Sequence, residues 1–285
     1  EDLMVQNKLI DWGRELGPIV FLSQTWLSFN HPDPDGVKHA QVRQIAKAIL
    51  ADRFRVSTHW FTEMVFGERN LNPKSARELV EHGYYWIDVE GVPQRNPTLK
   101  AMACNSIHWY VQESTHFWVL VPPWKHTERS HIVDVRTWGS RGWCRAERTF
   151  NYLSLNPKLC VMVEAANAPY IALDTDWLFK PPCAADFTVV SDKEVLGPLI
   201  QAAVKSCCDA FKAKGDMKTF RFFKSCMPQQ LEGWSARKPT SADTADLDAW
   251  MKEFDFTGPR DGQDSGWTPL RFAIYMGRLD LAAEP

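Results

Sequence analysis

Apolar and polar residues form a regular series of short apolar runs and amphipathic stretches along the first part of the chain. Four runs are rich in β-branched and aromatic side chains, which is typical of strands buried on both faces. The predicted strands cover residues 19–23, 84–89, 116–121 and 159–163. The stretches between them predict helices over 42–49, 75–82, 97–113 and 143–154. Strands that alternate with helices indicate an α/β fold with a mostly parallel sheet and right-handed crossovers.

This pattern breaks down in two places. Residues 51–73 contain aromatic side chains without a clean period, and we predict that they form an insertion in the α/β domain. A Pro-Pro pair after Lys180 marks a second change of character. The elements predicted beyond it are a strand at 187–190, helices at 194–213 and 217–226, and a polar connector at 235–264 around one short helix near Trp250.

Charge and apolar run length argue against two kinds of partner. The 33 Lys plus Arg and 35 Asp plus Glu leave a formal net charge of −2, which lacks the basic footprint that nucleic acid or an anionic membrane needs. The longest apolar runs fall far short of the roughly 18 residues of a membrane helix. We therefore expect neither nucleic acid nor a membrane as a partner.

The ends and the potential metal ligands of the chain lead to further expectations. The seven cysteines have no C-x-x-C spacing, so we expect reduced thiols in an intracellular, cytoplasmic protein. The chain begins at Glu1 without an initiator methionine or a visible signal peptide, which is typical of a piece cut from a longer chain. The histidines 116, 126 and 131 lack the spacing of a metal site, and we expect no metal.

Four motifs follow one another along the chain: Tyr85-Trp86-Ile87-Asp88-Val89-Glu90, Phe117-Trp118-Val119-Leu120-Val121, Arg141-Gly142-Trp143-Cys144-Arg145-Ala146-Glu147 and Cys160-Val161-Met162-Val163. Taken in this order, they resemble a TIR domain over roughly residues 18–165. The segments Ile87-Asp88-Val89-Glu90 with Pro93-Gln94, and Arg141-Gly142-Trp143, are also similar to the fungal heterokaryon-incompatibility domain, itself TIR-like. The resemblance implies a flavodoxin-like parallel sheet flanked by helices.

The same resemblance implies two functions. TIR domains assemble through the BB loop after the second strand, which here contains Glu90, Val92 and Pro93. Self-association through this segment is the first functional hypothesis, and in such domains the helix glutamate faces solvent or pairs with an arginine. The alternative hypothesis is an NAD glycohydrolase, because the glutamate of the W-x-x-x-E helix is catalytic in TIR domains that cleave NAD. That residue is Glu147 here.

The residue types by themselves also suit the cleavage of NAD. Trp143 and Glu147 lie one turn apart on a predicted helix, so an aromatic plane and a carboxylate can meet one ligand. A fixed carboxylate stabilises the oxocarbenium-like cation that forms when a nicotinamide–ribose bond breaks. Asp88 is expected to orient a ribose hydroxyl or water, with Trp26 and Ser23 as the opposite wall.

Several features of this site stay open at the sequence level. Phosphate contacts are expected from Lys38, Arg43 or the BB-loop residue Arg95. NAD enters as a candidate substrate, and no cofactor is implied. A nucleoside deoxyribosyltransferase-like enzyme, with a related sheet and a carboxylate nucleophile, is a third hypothesis.

A short motif lies near the end of the chain, Thr268-Pro269-Leu270-Arg271-Phe272-Ala273, and Gly277 behind it permits a reversal into a second helix. This segment resembles the start of an ankyrin repeat, whose T-P-L-H-x-A pattern it matches except at Arg271. One incomplete repeat cannot bury its own apolar face. We therefore expect either a longer array that binds protein partners or docking on the preceding residues.

These observations divide the chain into three predicted regions. A TIR-like α/β domain occupies 1–180, an α-helical extension 181–250, and a connector with a partial ankyrin repeat 251–285. The predicted whole is a signalling or interaction protein whose ankyrin part selects a partner, and whether it is an enzyme is left open.

Overall fold

The computed structural model describes residues 6, 9–11, 13, 15–172, 175–234 and 246–282. By its internal contacts the chain divides into two units, Glu1–Leu196 and Gly197–Pro285. Each unit has a hydrophobic cluster of its own. No helix in these ranges is long and apolar enough to cross a membrane.

The first unit is a mixed α/β structure built on a mostly parallel, six-stranded sheet flanked by helices. Its strands and those of a separate hairpin are β1 (Ile19–Gln24), β2 (Ser57–Thr58), β3 (Tyr84–Trp86), β4 (His116–Leu120), β5 (Trp124–Lys125), β6 (Ile132–Val133), β7 (Cys160–Val163) and β8 (Tyr170–Ile171). The sheet order is β2-β8-β7-β4-β1-β3, while β5 and β6 form the hairpin. Only the β7–β8 pair of the described sheet is antiparallel. The predicted mixed α/β class with a mostly parallel sheet is confirmed.

Helices occupy the connections between these strands. They are α1 (Val37–Leu50), α2 (Trp60–Phe66), α3 (Pro73–His82), α4 (Asp88–Gly91), α5 (Pro97–Asn105), α6 (Ile107–Glu113), α7 (Val135–Ser140), α8 (Gly142–Leu153) and α9 (Asp176–Phe179). Local caps explain where some begin. Asn72 accepts from the Lys74 N–H ahead of Pro73 in α3, and Asp134 accepts from the first N–H groups of α7.

The alternation of side chains along the strands decides which residues reach each face. One face packs against α1 and α3 through the buried residues Val20, Leu22, Ile45, Ile49, Ala76, Leu79, Trp118, Leu120, Val161, Val163 and Ile171. Phe21 lies on the opposite face, where its ring stacks on Trp86 at 4.5 Å and on Phe117 at 5.6 Å. Because strand side chains alternate, Ser23 falls on the Phe21 face and Gln24 on the face of α1.

The second predicted strand is shorter than the pattern indicates. Predicted over 84–89, it ends at Trp86, and Asp88 begins the single turn of α4. The predicted helix over 97–113 is interrupted at Ser106, whose hydroxyl donates to the Met102 carbonyl at 2.9 Å. A side chain that binds its own backbone in this way competes with continuation of the helix.

Two other predictions change in the structure. Residues 187–190 form no strand, and the backbone bridge in this region joins Asp186 to Arg141 instead. The predicted insertion at 51–73 contains β2 and α2. Since β2 pairs with β8 at the sheet edge, part of this segment extends the sheet.

A longer helix and four shorter ones make up most of the second unit. They are α10 (Asp192–Ala213), which contains the boundary between the units, α11 (Met217–Gln230), α12 (Leu247–Glu253), α13 (Pro269–Tyr275) and α14 (Leu279–Ala282). The short helix predicted near Trp250 is present, whereas 235–245 of the predicted connector lie outside the described residues. Thr268 caps α13, and Gly277 takes a φ of 72° between α13 and α14. Phe272, Ala273 and Leu281 pack on Trp250.

Candidate active site

The site is organised by the last two residues of β1, which point to opposite faces of the sheet. Ser23 faces α8 and donates a hydrogen bond to Glu147 Oε2 at 2.5 Å. Gln24 faces α1 and donates from Nε2 to Asp88 Oδ1 at 2.8 Å. Both side chains are buried at the carboxyl end of the strand, the end at which parallel sheets bind ligands.

Glu147 is buried and is held by Ser23. Its exposed fraction is 8%, and burial raises the pKa of its carboxyl group from 4.5 to about 8, the hydrogen bond from Ser23 opposing this shift and the charge of Asp88 adding to it. The indole nitrogen of Trp138 donates to the Ser23 hydroxyl oxygen at 2.8 Å. A carboxyl group with this pKa is mostly neutral at pH 7, and its Oε2 atom accepts the hydrogen bond from Ser23.

Asp88 lies nearer to solvent and has two donors. The indole nitrogen of Trp26 donates to Oδ2 at 2.6 Å, and Gln24 donates to Oδ1. Asp88 is half-buried, as is Trp26. The sequence separations of these partners exceed sixty residues, so the contact depends on the pairing of β1 with β3.

Lys38 connects this network to α1. Its Nζ donates to Gln24 Oε1 at 3.1 Å and also to the Thr25 carbonyl oxygen. Burial lowers the pKa of the Lys38 ammonium to about 8, against the charges of Asp88 and Asp33, which raise it. Asp33 accepts the backbone N–H of Lys38 at 3.1 Å, which fixes the start of α1. Gln24 therefore bridges a buried cation and Asp88.

The structure brings together four of the six predicted site residues: Ser23, Trp26, Asp88 and Glu147. Trp143 is oriented differently, since its indole nitrogen donates to Asp192 at 2.7 Å. Stacking of Trp143 on a ligand beside Glu147 stays a prediction. Arg95 is exposed in the segment between α4 and α5, and its phosphate contact also stays a prediction.

The two arginines of α8 that are nearest to Glu147 in sequence have other contacts. Arg145 Nε donates to the Gly139 carbonyl at 2.7 Å. Arg148 Nη1 lies 4.0 Å from Asp176, and its guanidinium lies over the Trp138 ring at 5.5 Å. The hydrogen-bond donor observed on Glu147 is Ser23.

Sequence reasoning missed two members of the cluster. Gln24 and Trp138 carry no motif, and their roles come from strand alternation and from the position of α7. Cys144 donates from Sγ to the Gln24 carbonyl at 3.5 Å, and burial, together with the charge of Glu147, raises the pKa of its thiol well above the usual value. A thiol in this state is a poor nucleophile.

The segment predicted to act as a BB loop contacts α1 through Glu90. Val92 is 8% exposed, and Glu90 Oε1 lies 3.2 Å from His39 Nε2. Burial raises the pKa of the Glu90 carboxyl group. Val92 is therefore buried in this conformation, and association through Glu90, Val92 and Pro93 stays a prediction.

The described residues contain no group of three or more His, Cys, Asp or Glu side chains that could hold a metal ion. In comparisons with protein-family models, with curated proteins and with solved structures, nothing matched this chain. The fold and site by themselves define an α/β domain with two carboxyl groups, one buried and one half-buried, near the carboxyl end of a central strand.

Proposed function

We propose that the first unit is a TIR-like domain that cleaves the nicotinamide–ribose bond of NAD, with Glu147 as the catalytic carboxylate. The observation that carries this proposal is the convergence of two carboxyl groups on the end of β1, where Ser23 binds Glu147 and Gln24 binds Asp88. Two carboxyl groups in different surroundings are the arrangement found in enzymes that cleave glycosidic bonds.

The strand order supports the TIR-like part of the proposal. The four strands predicted from the sequence lie in the order β3-β1-β4-β7. Counted among these four strands alone, this order is second, first, third and fourth along the chain. Flavodoxin-like sheets have the same order. The departure from that pattern is at the far edge, where antiparallel β8 and the short β2 follow β7.

The proposed reaction needs an ionised Glu147. As the C1′–N bond breaks, its electron pair leaves with nicotinamide, and the Glu147 carboxylate stabilises the oxocarbenium-like ribose. Water then adds to C1′ and loses a proton, which yields nicotinamide and ADP-ribose. The positive nicotinamide ring of the substrate favours the ionised form of Glu147. Asp88 can still accept a bond from a ribose hydroxyl, because each carboxylate oxygen accepts more than one.

Purified protein is expected to release nicotinamide from NAD, and Glu147→Ala is expected to abolish the release. The measurement is chromatography of nicotinamide and ADP-ribose over time. Glu63→Ala is the matched control, because Glu63 is an exposed glutamate on α2, and it should keep wild-type activity. Release that survives Glu147→Ala contradicts the proposal. Base exchange on deoxynucleosides, without NAD cleavage, would favour the deoxyribosyltransferase hypothesis instead.

An interaction function is the second candidate, and an exposed apolar face in the second unit favours it. The α13–α14 pair packs Phe272 and Leu281 against Trp250 but leaves Leu270, Ile274 and Leu279 about half exposed or more. Ankyrin-like helix pairs bury such a face by stacking on a neighbour. We propose that this face mediates association of the chain with a second copy.

The mass measured by light scattering is expected to rise with protein concentration for the wild-type chain. The double substitution Leu270→Ser with Ile274→Ser should keep the protein monomeric over the same range, since it removes the apolar area that association buries. Leu99→Ser, at an exposed leucine of α5, is the control and should associate normally. A wild-type chain that is monomeric throughout, or a double variant that still associates, contradicts this candidate.

A further inference from the structure

A cavity lies on the α1 side of the sheet, where the segments after β4 and β7 approach that helix. Its volume is about 550 Å³, and its lining includes Gln41 and Gln44 of α1, Pro122, and Asn167. This volume is within the range of small-molecule sites. Ser23, Trp26, Asp88 and Glu147 are not among its described lining residues, so the cavity is distinct from the candidate active site.

The charge of this cavity favours an anion. Arg53 and Arg55 line it, and none of its described lining residues is acidic. The Nη1 group of Arg55 donates to the carbonyl oxygens of Asp52 and Phe54, each at 2.9 Å. These bonds hold one end of the guanidinium against the backbone, which orients the planar group. Arginine forks of this kind bind phosphate oxygens in pairs.

An aromatic side chain also lines the cavity. Trp124 lines the cavity and is partly exposed. It belongs to β5, where it pairs with Val133 of β6, so the hairpin fixes the position of the indole. A partly exposed indole beside arginines suits a planar ring that is attached to an anionic group.

Gln41 adds a requirement for a hydrogen-bond donor. Its side chain is more than nine-tenths buried, and Oε1 finds no donor among the described residues. A buried acceptor without a partner is unfavourable. The terminal amide torsion of glutamine is soft, so rotation about it can turn this oxygen toward a ligand in the cavity that carries an N–H.

We propose that this cavity binds a nucleoside phosphate with an amino-bearing base, such as an adenine nucleotide. Arg53 and Arg55 bind the phosphates, Trp124 stacks on the base, and Gln41 accepts from the exocyclic amino group. The phosphates, the base ring and the exocyclic amino group of the ligand therefore each contact different residues of the lining. The proposal concerns a separate site and does not depend on NAD cleavage at Glu147.

The test is calorimetric titration of the full chain with ADP, inosine diphosphate and pyrophosphate. ADP is expected to bind, and the double substitution Arg53→Gln with Arg55→Gln should weaken it at least about tenfold, since two charged hydrogen-bonding groups are lost. Inosine diphosphate has a carbonyl in place of the amino group and should bind more weakly than ADP. Gln41→Leu should remove that preference, and Trp124→Ala should weaken both nucleotides but not pyrophosphate.

Two further variants make the result specific to this cavity. Arg69→Gln changes an exposed arginine outside the lining and should leave the affinity for ADP unchanged. Glu147→Gln should also leave it unchanged, which separates this cavity from the active site. The proposal is overturned if ADP does not bind at millimolar concentration, if the Arg53/Arg55 double variant binds ADP as the wild type does, or if Glu147→Gln removes the binding.

Discussion

The rate of nicotinamide release from NAD is expected to rise about tenfold per pH unit up to about pH 8 and then to level off. The reason is that Glu147 must be ionised to stabilise the cationic ribose, while burial raises its pKa to about 8. The profile of kcat/KM reports the free protein and should show this value. The profile of kcat should break at a lower pH, because bound substrate places a positive ring near the carboxylate.

Glu147→Gln is expected to lower kcat by at least about 100-fold at every pH. Glutamine keeps the shape of the side chain and can still bond to Ser23, so a loss reports the missing charge rather than a missing contact. The residual activity of this variant should lose the pH dependence near 8. A variant with a wild-type profile, or a wild-type rate that does not change between pH 6 and 8, would falsify the assigned role of Glu147.

The same substitution has an effect on stability that does not require any substrate. The pKa of Glu147 is higher in the folded chain than its ordinary 4.5, so its stabilising contribution is present below about 4.5 and is lost as the pH rises through about 8. Glu147→Gln lacks this titration and should gain stability relative to the wild type as the pH rises toward 8.

Lys38 affects stability in the opposite sense. Its pKa is lowered from 10.5 to about 8, so the stabilising contribution of Lys38 is lost as the pH falls through 8. Thermal unfolding of Glu147→Gln between about pH 4.5 and 8, and of Lys38→Met between about pH 8 and 10.5, distinguishes the contribution of Glu147 from that of Lys38.

Trp250→Ala is expected to lower the free energy of unfolding of the second unit by about 3–5 kcal/mol. Trp250 is 0% exposed, and its ring lies 5.4 Å from the rings of both Phe254 and Phe256 and 6.3 Å from that of Phe272. Removing the indole leaves a cavity among aromatic rings that cannot fully collapse. The measurement is chemical denaturation followed by circular dichroism.

Two companion variants separate packing from other effects of Trp250. Trp60→Ala, at a tryptophan that is 68% exposed, should change the stability only slightly. Trp250→Phe should cost less than Trp250→Ala, because a phenyl ring keeps most contacts and removes an indole N–H that finds no acceptor among the described residues. Equal losses for Trp250→Phe and Trp250→Ala would show that the contacts among these rings are not what stabilises the unit.

The strands show how much of the fold the pattern of apolar residues predicts. Runs beginning at Ile19, His116 and Leu159 predict β1, β4 and β7 to within a residue at each end, because burial on both faces leaves a continuous apolar pattern. The run at Tyr84 fails at its end. Its apolar pattern continues through Ile87 and Val89, but the backbone turns into α4 after Trp86. That turn directs Asp88 to Gln24 and Trp26, which are distant in sequence.

Local pattern predicts some features of the candidate site but not others. The identities of Ser23, Trp26, Asp88 and Glu147 follow from their places after strands and on a helix, which local pattern and resemblance make visible. The protonation state of Glu147 cannot be predicted from local pattern, because a glutamate on an exposed helix face keeps an ordinary pKa. Only the packing of α8 against β1 buries Glu147. Trp143 shows the converse, since its indole is oriented by Asp192, a residue 49 positions further along the chain.

Neighbours within a few residues suffice to predict β1, β4 and β7 and the mixed α/β class of this protein, because backbone periodicity is a local property. The sheet edge formed by two-residue β2 and β8, the bridge from Lys38 through Gln24 to Asp88, and the cavity beside Trp124 come from segments far apart in the chain. Burial and hydrogen-bond partners depend on which distant groups arrive at the same place, and no local pattern encodes that. The acidity of Glu147 and the surroundings of Gln41 therefore arise only when the chain is folded.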